Sequence, residues 1–151
     1  MASFAILPAA GRSTRMAEPK LLMPWAGGTV IESVLAAWRA SGVSHTVVIV
    51  HPDDRQLADL CRTSAVDVVL LDAPTADMKA SVVAGLKFVA QRYEPSHTDA
   101  WLLCPADMPT IGAATIDRVL GAYRPDDPAI VVPTFQGVRG HPLLLPWPHP
   151  R

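Results

Sequence analysis

The chain is poor in several features that would assign it to a specialised class of protein. Only two of its 151 residues are cysteines. Cys61 and Cys104 lie in separate apolar segments, so we expect two buried thiols and neither a disulfide framework nor a cysteine metal site. The formal net charge is −1, which argues against the basic field that binding to nucleic acid or to an anionic membrane requires. We therefore expect no nucleic-acid or membrane partner.

Long apolar runs are also missing, and none approaches the length of a membrane span. The first residues lack the apolar core of a signal peptide because Pro8, Gly11 and Arg12 interrupt it. Half of the residues are hydrophobic, which is enough for a real core in a chain of this length. We expect a single domain spanning residues 1–151 and a cytoplasmic protein.

Short apolar runs alternate with longer amphipathic segments along the chain. The apolar runs predict four strands, at residues 4–7, 46–50, 66–71 and 100–104. The amphipathic segments predict helices that begin near residues 29, 54, 77 and 110–112 and end near residues 42, 62, 93 and 123. Two later stretches, 130–132 and 142–145, could pair across a turn at Gln136-Gly137. This alternation is typical of an α/β fold with a mostly parallel central sheet.

The segment that leaves the first predicted strand carries the strongest functional signal. It runs Leu7-Pro8-Ala9-Ala10-Gly11-Arg12-Ser13-Thr14-Arg15-Met16 and is closed by Pro19-Lys20. Its small residues stand where the backbone turns, and consecutive N–H groups in such a turn form a concave anion site. Arg15 and Lys20 add two cations. The segment predicts a triphosphate site, and the alternative is an ordinary loop with solvated charges.

Two well-known phosphate loops do not fit this segment. Only one glycine lies between Ala10 and Lys20, whereas the dinucleotide-binding fingerprint needs three. No Gly-Lys-Ser/Thr triplet follows a four-residue spacer, so the segment is not a P-loop either.

A carboxylate is predicted to face this loop. In an open parallel sheet, ligands bind outside the carboxyl ends of the strands, and both the loop after the first strand and Asp107 after the fourth leave at that edge. A carboxylate opposite a triphosphate is a natural Mg²⁺ ligand, because Mg²⁺ prefers one or two carboxylates, phosphate oxygens and retained waters. The alternative role for Asp107 is a helix cap, for which Thr110 is better placed.

The loop resembles the signature of the nucleotidyltransferases with a Rossmann-like fold, above all their molybdenum-cofactor branch of cytidylyl- and guanylyltransferases. The family pattern is Leu-x-Ala-Gly-x-Ser-x-Arg-Met-(Gly)-x-Pro-Lys, and Ala17 replaces the second glycine. The resemblance implies a three-layer fold, Mg²⁺ as cofactor, and catalytic roles for Arg15, Lys20 and the metal ligand Asp107. It further implies nucleotide contacts from Leu7, Ala9, Ala10, Gly11, Arg12 and Ser13.

Three later segments are similar to other motifs of this family. Residues 106–109, Ala-Asp-Met-Pro, resemble Gly-Asp-x-Pro, whose Asp binds Mg²⁺. Residues 78–86 resemble Met-Ser-x-Ser-Leu-x-x-Gly-Leu, which lies beside the base and ribose; Ser81 matches its second serine and Lys79 replaces the first. Gly140, His141 and Pro142 match a Gly-His-Pro motif on the side that receives molybdopterin, so they are implied to bind the acceptor substrate. The other histidines match no motif.

The resemblance implies transfer of a nucleotide, CMP from CTP, to the phosphate of molybdopterin with release of pyrophosphate. Its partners would be the nucleoside triphosphate, the phosphorylated acceptor and a molybdoenzyme apoprotein. One alternative is a sugar-1-phosphate nucleotidyltransferase. Another is a non-catalytic carrier of nucleotide or cofactor, because family members continue past the Gly-His-Pro strand and often carry a second acidic residue there. The resemblance thus implies a C-terminally shortened form of the fold.

Overall fold

The computed structural model describes residues 1–10, 20–74 and 77–147. Within these residues the strands are β1 (Ser3–Ala9), β2 (Pro24–Trp25), β3 (Gly28–Thr29), β4 (His45–Val50), β5 (Asp67–Leu70), β6 (Ala100–Leu103), β7 (Thr134–Phe135), β8 (Val138–Arg139) and β9 (Leu143–Pro146). The helices are α1 (Val30–Ala40), α2 (Arg55–Arg62), α3 (Met78–Tyr93) and α4 (Ala113–Ala122), and a 3-10 turn spans Lys20–Leu22. Every predicted strand before residue 105 and every predicted helix is confirmed.

The central sheet has the strand order β5-β4-β1-β6-β9. The first four of these strands run parallel, and β9 pairs antiparallel with β6. Successive side chains of a strand point to opposite faces, so β1 contributes Leu7 to one core and Ile6 to the other. Helices α1, α2 and α4 cover the first face and α3 covers the second. The α/β fold with a mostly parallel sheet is therefore confirmed, and it has three layers.

The helix starts follow from local side-chain chemistry. Thr29 and Glu32 form the predicted capping box at the head of α1. Asp54 and Asp77 accept hydrogen bonds from backbone amides at the starts of α2 and α3. Of the two predicted starts of α4, Gly112 is confirmed as the cap position, and it supplies no side-chain oxygen. Thr110 does not cap the helix.

The predicted pairing of 130–132 with 142–145 is confirmed at a single antiparallel bridge, Val131 with Leu144. The main partner of β9 is β6, which gains an antiparallel neighbour whose Leu144 is fully buried. Strands β7 and β8 form a short hairpin whose turn residues, Gln136 and Gly137, have φ of 52° and 80°. Among the described helices, none is long and apolar enough to cross a membrane.

Candidate functional site

Strand β1 delivers the chain to the middle of the sheet's carboxyl edge. Its register pairs Ala9 with Val50, so Ala10 lies beside His51. On its other side, the amide of Ala106 donates a 3.1 Å hydrogen bond to the carbonyl of Pro8. The segment that continues from residue 10 therefore starts between the ends of β4 and β6.

The predicted nucleotide-binding residues of β1 are buried. Leu7, Ala9 and Ala10 are 0%, 6% and 3% exposed, so their side chains pack in the core and only their backbone could meet a ligand. The remaining loop residues of this prediction, Gly11, Arg12, Ser13 and Arg15, lie outside the described residues. Their roles stay predictions.

The structure brings Lys20 and Asp107 together, as expected for two loops that leave the same edge of a parallel sheet. The ammonium of Lys20 donates a hydrogen bond to Oδ2 of Asp107 at 3.3 Å, and the two side chains are 54% and 40% exposed. The pair therefore lies in contact with solvent, at the edge where the sheet's strands end.

The backbones on both sides of this pair are anchored. Lys20 begins a 3-10 turn whose next two residues, Leu21 and Leu22, pack against the core. The amide of Met23 donates to the carbonyl of Lys20, and Met23 in turn accepts from Val30 at the start of α1. These contacts tie the backbone after Lys20 to the core and to α1, while the long side chain of Lys20 keeps rotatable bonds.

Asp107 is a partly exposed carboxylate at this edge that could bind a cation. No cluster of three His, Cys, Asp or Glu residues in the described part of the chain could hold a metal. Asp99 lies at the opposite edge of the sheet, where its carboxylate accepts from the amides of Ala2 and Ser96. Asp77 caps α3. One half-exposed carboxylate, completed by phosphate oxygens and water, fits the coordination that Mg²⁺ prefers.

The thiol nearest this site is not set up as a nucleophile. Cys104 is 1% exposed, and its Sγ lies 4.0 Å from the sulfur of Met108. Burial, reinforced by the negative charge of Asp107, raises the pKa of Cys104 to about 12. The thiol therefore stays protonated and unreactive at neutral pH.

The other predicted site residues reach the same edge of the sheet, with different exposure. Ser81 lies in the first turn of α3, but it is only 2% exposed. Gly140 donates its amide to the carbonyl of Pro133, and His141 and Pro142 lead directly into β9. Because β9 begins opposite Leu103, the last residue of β6, the Gly-His-Pro motif lies next to the loop of Asp107.

Sequence reasoning gave no role to His51, which the structure places at this edge. Its side chain is 5% exposed, and Nδ1 accepts a 3.0 Å hydrogen bond from the amide of Asp53. This bond leaves Nε2 as the donor of the neutral ring. The available signal was the position of His51 directly after a predicted strand. His45 instead stacks on Tyr93 at the opposite edge.

The chain belongs to the family of MobA-like NTP transferase domains, whose family model matches residues 5–150. It is 42% identical over 125 residues to 2-C-methyl-D-erythritol 4-phosphate cytidylyltransferase of Cereibacter sphaeroides, an alignment covering 81% of this chain and 54% of that protein. It is 30% identical over 143 residues to the probable molybdenum cofactor guanylyltransferase of Bacillus thuringiensis, covering 94% of this chain and 66% of that protein. The chain thus spans about half to two thirds of the length of these relatives.

The fold is shared with solved structures. The crystal structure of Rv0371c from Mycobacterium tuberculosis superposes with a TM-score of 0.81 at 24% identity, covering 97% of this chain and 73% of that one. The structure of Rv0371c complexed with manganese gives a TM-score of 0.71 at 22% identity, with 97% and 72% coverage. At this identity the likeness establishes the architecture of this chain.

Proposed function

We propose that the protein is a metal-dependent nucleotidyltransferase that transfers CMP from CTP to the phosphate of molybdopterin and releases pyrophosphate. The observation that carries the proposal is the 3.3 Å contact between Lys20 and Asp107 at the carboxyl edge of the sheet. It pairs a phosphate-binding cation with a carboxylate suited to a divalent metal. Membership of the NTP transferase family supports this assignment.

The reaction is an in-line displacement at the α-phosphorus of the triphosphate. An oxygen of the acceptor phosphate forms the new bond to this phosphorus while the bond to the bridging oxygen of pyrophosphate breaks. Both reactants are anions, so the protein must chiefly position them and offset their charge. Lys20 and Arg15 would hold the triphosphate and stabilise the leaving pyrophosphate. A phosphate nucleophile is largely ionised near neutral pH, so no general base is needed.

Asp107 is the residue that would hold Mg²⁺. When bound, the ion would offset the negative charge of the phosphate groups. The manganese complex of the structurally similar Rv0371c supports a divalent-metal site in this fold. The placement of the Gly-His-Pro motif beside the loop of Asp107 supports His141 as a contact of the acceptor substrate. The product would then pass to a molybdoenzyme apoprotein.

A phosphorylated polyol is the second candidate acceptor. The 42% identity to a 2-C-methyl-D-erythritol 4-phosphate cytidylyltransferase favours it, and that enzyme's name also favours CTP. The relative named as a molybdenum cofactor guanylyltransferase aligns over more of this chain and favours the molybdopterin branch with GTP. The two candidates share the transfer chemistry and differ in the acceptor and the base.

A two-dimensional substrate panel tests the proposal. Pyrophosphate release is measured with CTP or GTP and Mg²⁺, against molybdopterin, 2-C-methyl-D-erythritol 4-phosphate and a sugar 1-phosphate. We expect release with CTP and molybdopterin, and its loss in Asp107→Asn. Release only with another acceptor would reassign the substrate. Tight nucleotide binding without pyrophosphate from any pair would contradict catalysis and support the carrier alternative.

A further inference from the structure

The proposed roles of Lys20 and Asp107 differ from the contact that the structure shows between them. In the proposed reaction, Asp107 binds a metal ion and Lys20 binds phosphate, so the two side chains would not be paired with each other. In the structure, the Lys20 ammonium instead lies 3.3 Å from Asp107 Oδ2. One oxygen of the carboxylate proposed to hold the metal ion is therefore already in contact with a cation.

The two side chains differ in their freedom to move. Asp107 follows Ala106, which is 1% exposed and fixed by its amide to Pro8. Its short side chain cannot move far from this anchor. Lys20 carries its charge on a four-carbon stem that is half exposed, so it can rotate to another partner at little cost in free energy.

We propose that Lys20 acts as a cation gate on Asp107. In the free protein the ammonium competes with a divalent metal for the carboxylate and keeps metal affinity low. A triphosphate offers Lys20 several stronger, charge-assisted acceptors and draws it away from Asp107. The metal ion then enters with the nucleotide rather than ahead of it. This inference rests on the proposed function of Asp107 as a metal ligand.

The gate predicts an effect opposite to the one expected of a metal-supporting residue. A doubly charged ion is repelled by the nearby ammonium, and the existing ion pair must also be broken before the metal can bind. Removing the ammonium should therefore tighten metal binding to the free protein by on the order of tenfold, since both charges lie in a largely aqueous setting. A residue that only assisted catalysis would leave metal affinity unchanged.

The test measures Mn²⁺ binding to the nucleotide-free protein by electron paramagnetic resonance of the free ion. The wild type is compared with Lys20→Met, which keeps the stem and removes the charge, and with Lys20→Arg, which keeps the charge. Lys87→Met is the matched control, because it removes an exposed lysine charge from α3. We expect about tenfold tighter binding in Lys20→Met and wild-type affinity in Lys20→Arg and Lys87→Met.

Adding Asp107→Asn to Lys20→Met separates the two proposals. If the gate exists, the double variant loses the tightened binding. Equal Mn²⁺ affinity in the wild type and Lys20→Met, including no measurable binding to either, would overturn the gate. Pyrophosphate release by the wild type would still support the proposed function in that case. Tightened binding that survives Asp107→Asn would overturn it as well, because the metal would then be held elsewhere.

Discussion

Gly85 of α3 lies directly against Ile49 of β4. A Cβ atom added to this glycine would stand 2.9 Å from Ile49 Cδ1 and 3.0 Å from Ile6 Cγ2. Both isoleucines are fully buried, so neither has free space into which to move. The missing side chain thus lets α3 approach the sheet closely.

Replacing Gly85 with alanine should therefore destabilise the protein. Overpacking a closed core typically loses 1–3 kcal/mol, while the helix gains roughly 1 kcal/mol from the better helix former. We expect a net loss of up to about 2 kcal/mol in the free energy of unfolding by urea. Gly121→Ala in α4 is the control, because nothing lies within 4 Å of its added Cβ. Equal effects of the two substitutions would contradict the close approach.

Two tyrosines should respond in opposite ways to removal of the hydroxyl. Tyr93 donates to a carboxylate oxygen of Asp67, whereas the buried hydroxyl of Tyr123 has no hydrogen-bond partner among the described residues. Tyr93→Phe should lower the free energy of unfolding by about 1 kcal/mol, and Tyr123→Phe should raise it by about 1 kcal/mol. Thermal unfolding of both variants checks this, and a loss in Tyr123→Phe would show that its hydroxyl is satisfied.

Stability should fall as the pH rises above 9. Burial raises the pKa of Cys61 from 9.0 to about 11, and burial together with the bond to Asp67 raises that of Tyr93 from 10.0 to about 12. The unfolded chain therefore loses these protons first, so stability is complete below pH 9 and is lost as the pH rises through 11 to 12. For Cys61 alone the loss is up to roughly 2–3 kcal/mol.

Urea unfolding followed between pH 8 and 11.5 measures this loss, and Cys61→Ala should show a shallower fall than the wild type. The same burial predicts that neither Cys61 nor Cys104 reacts with a thiol reagent at pH 8 until the protein unfolds. Fast reaction of the native protein at this pH would contradict the buried, protonated thiols.

Removing the cations of the loop should lower turnover by orders of magnitude and spare the fold. Lys20→Ala and Arg15→Ala each delete a charge proposed to stabilise the leaving pyrophosphate, a class of contact worth about 10²–10³ in rate. Lys20 is half exposed, and an exposed ion pair contributes at most about 1 kcal/mol to stability. We expect turnover to fall by these factors while the thermal midpoint changes by a few degrees or less. Near-wild-type turnover in both variants would remove the charge-stabilising roles.

Much of the candidate site could be predicted because strand ends carry directional information. Residues 4–7 and 100–104 read as strands, so Lys20 and Asp107 were expected at one edge, and they are in contact there. The sequence did not predict strand pairings that join segments distant in the chain. The partner of β9 depended on which neighbour could bury Leu144, and the apolar pattern alone could not choose β6.

His51 shows the same limit for a residue at the edge of the candidate site. A histidine after a strand has no motif to identify it, and its burial beside Ala10 follows from the register of β1 against β4. The close packing of Gly85 on Ile49 and Ile6 is likewise invisible in the chain, because the contact joins residues far separated in sequence.

The sequence by itself determined the order of strands and helices, their caps at Thr29, Asp54 and Asp77, and the edge to which each loop belongs, because periodicity and capping are local properties of the chain. Tertiary structure alone decided that the Lys20 ammonium rests on Asp107, that β9 lines β6, and that Tyr123 buries its hydroxyl. Those outcomes depend on packing and electrostatic contacts between segments that are distant in the chain. A local sequence pattern does not contain information about such contacts.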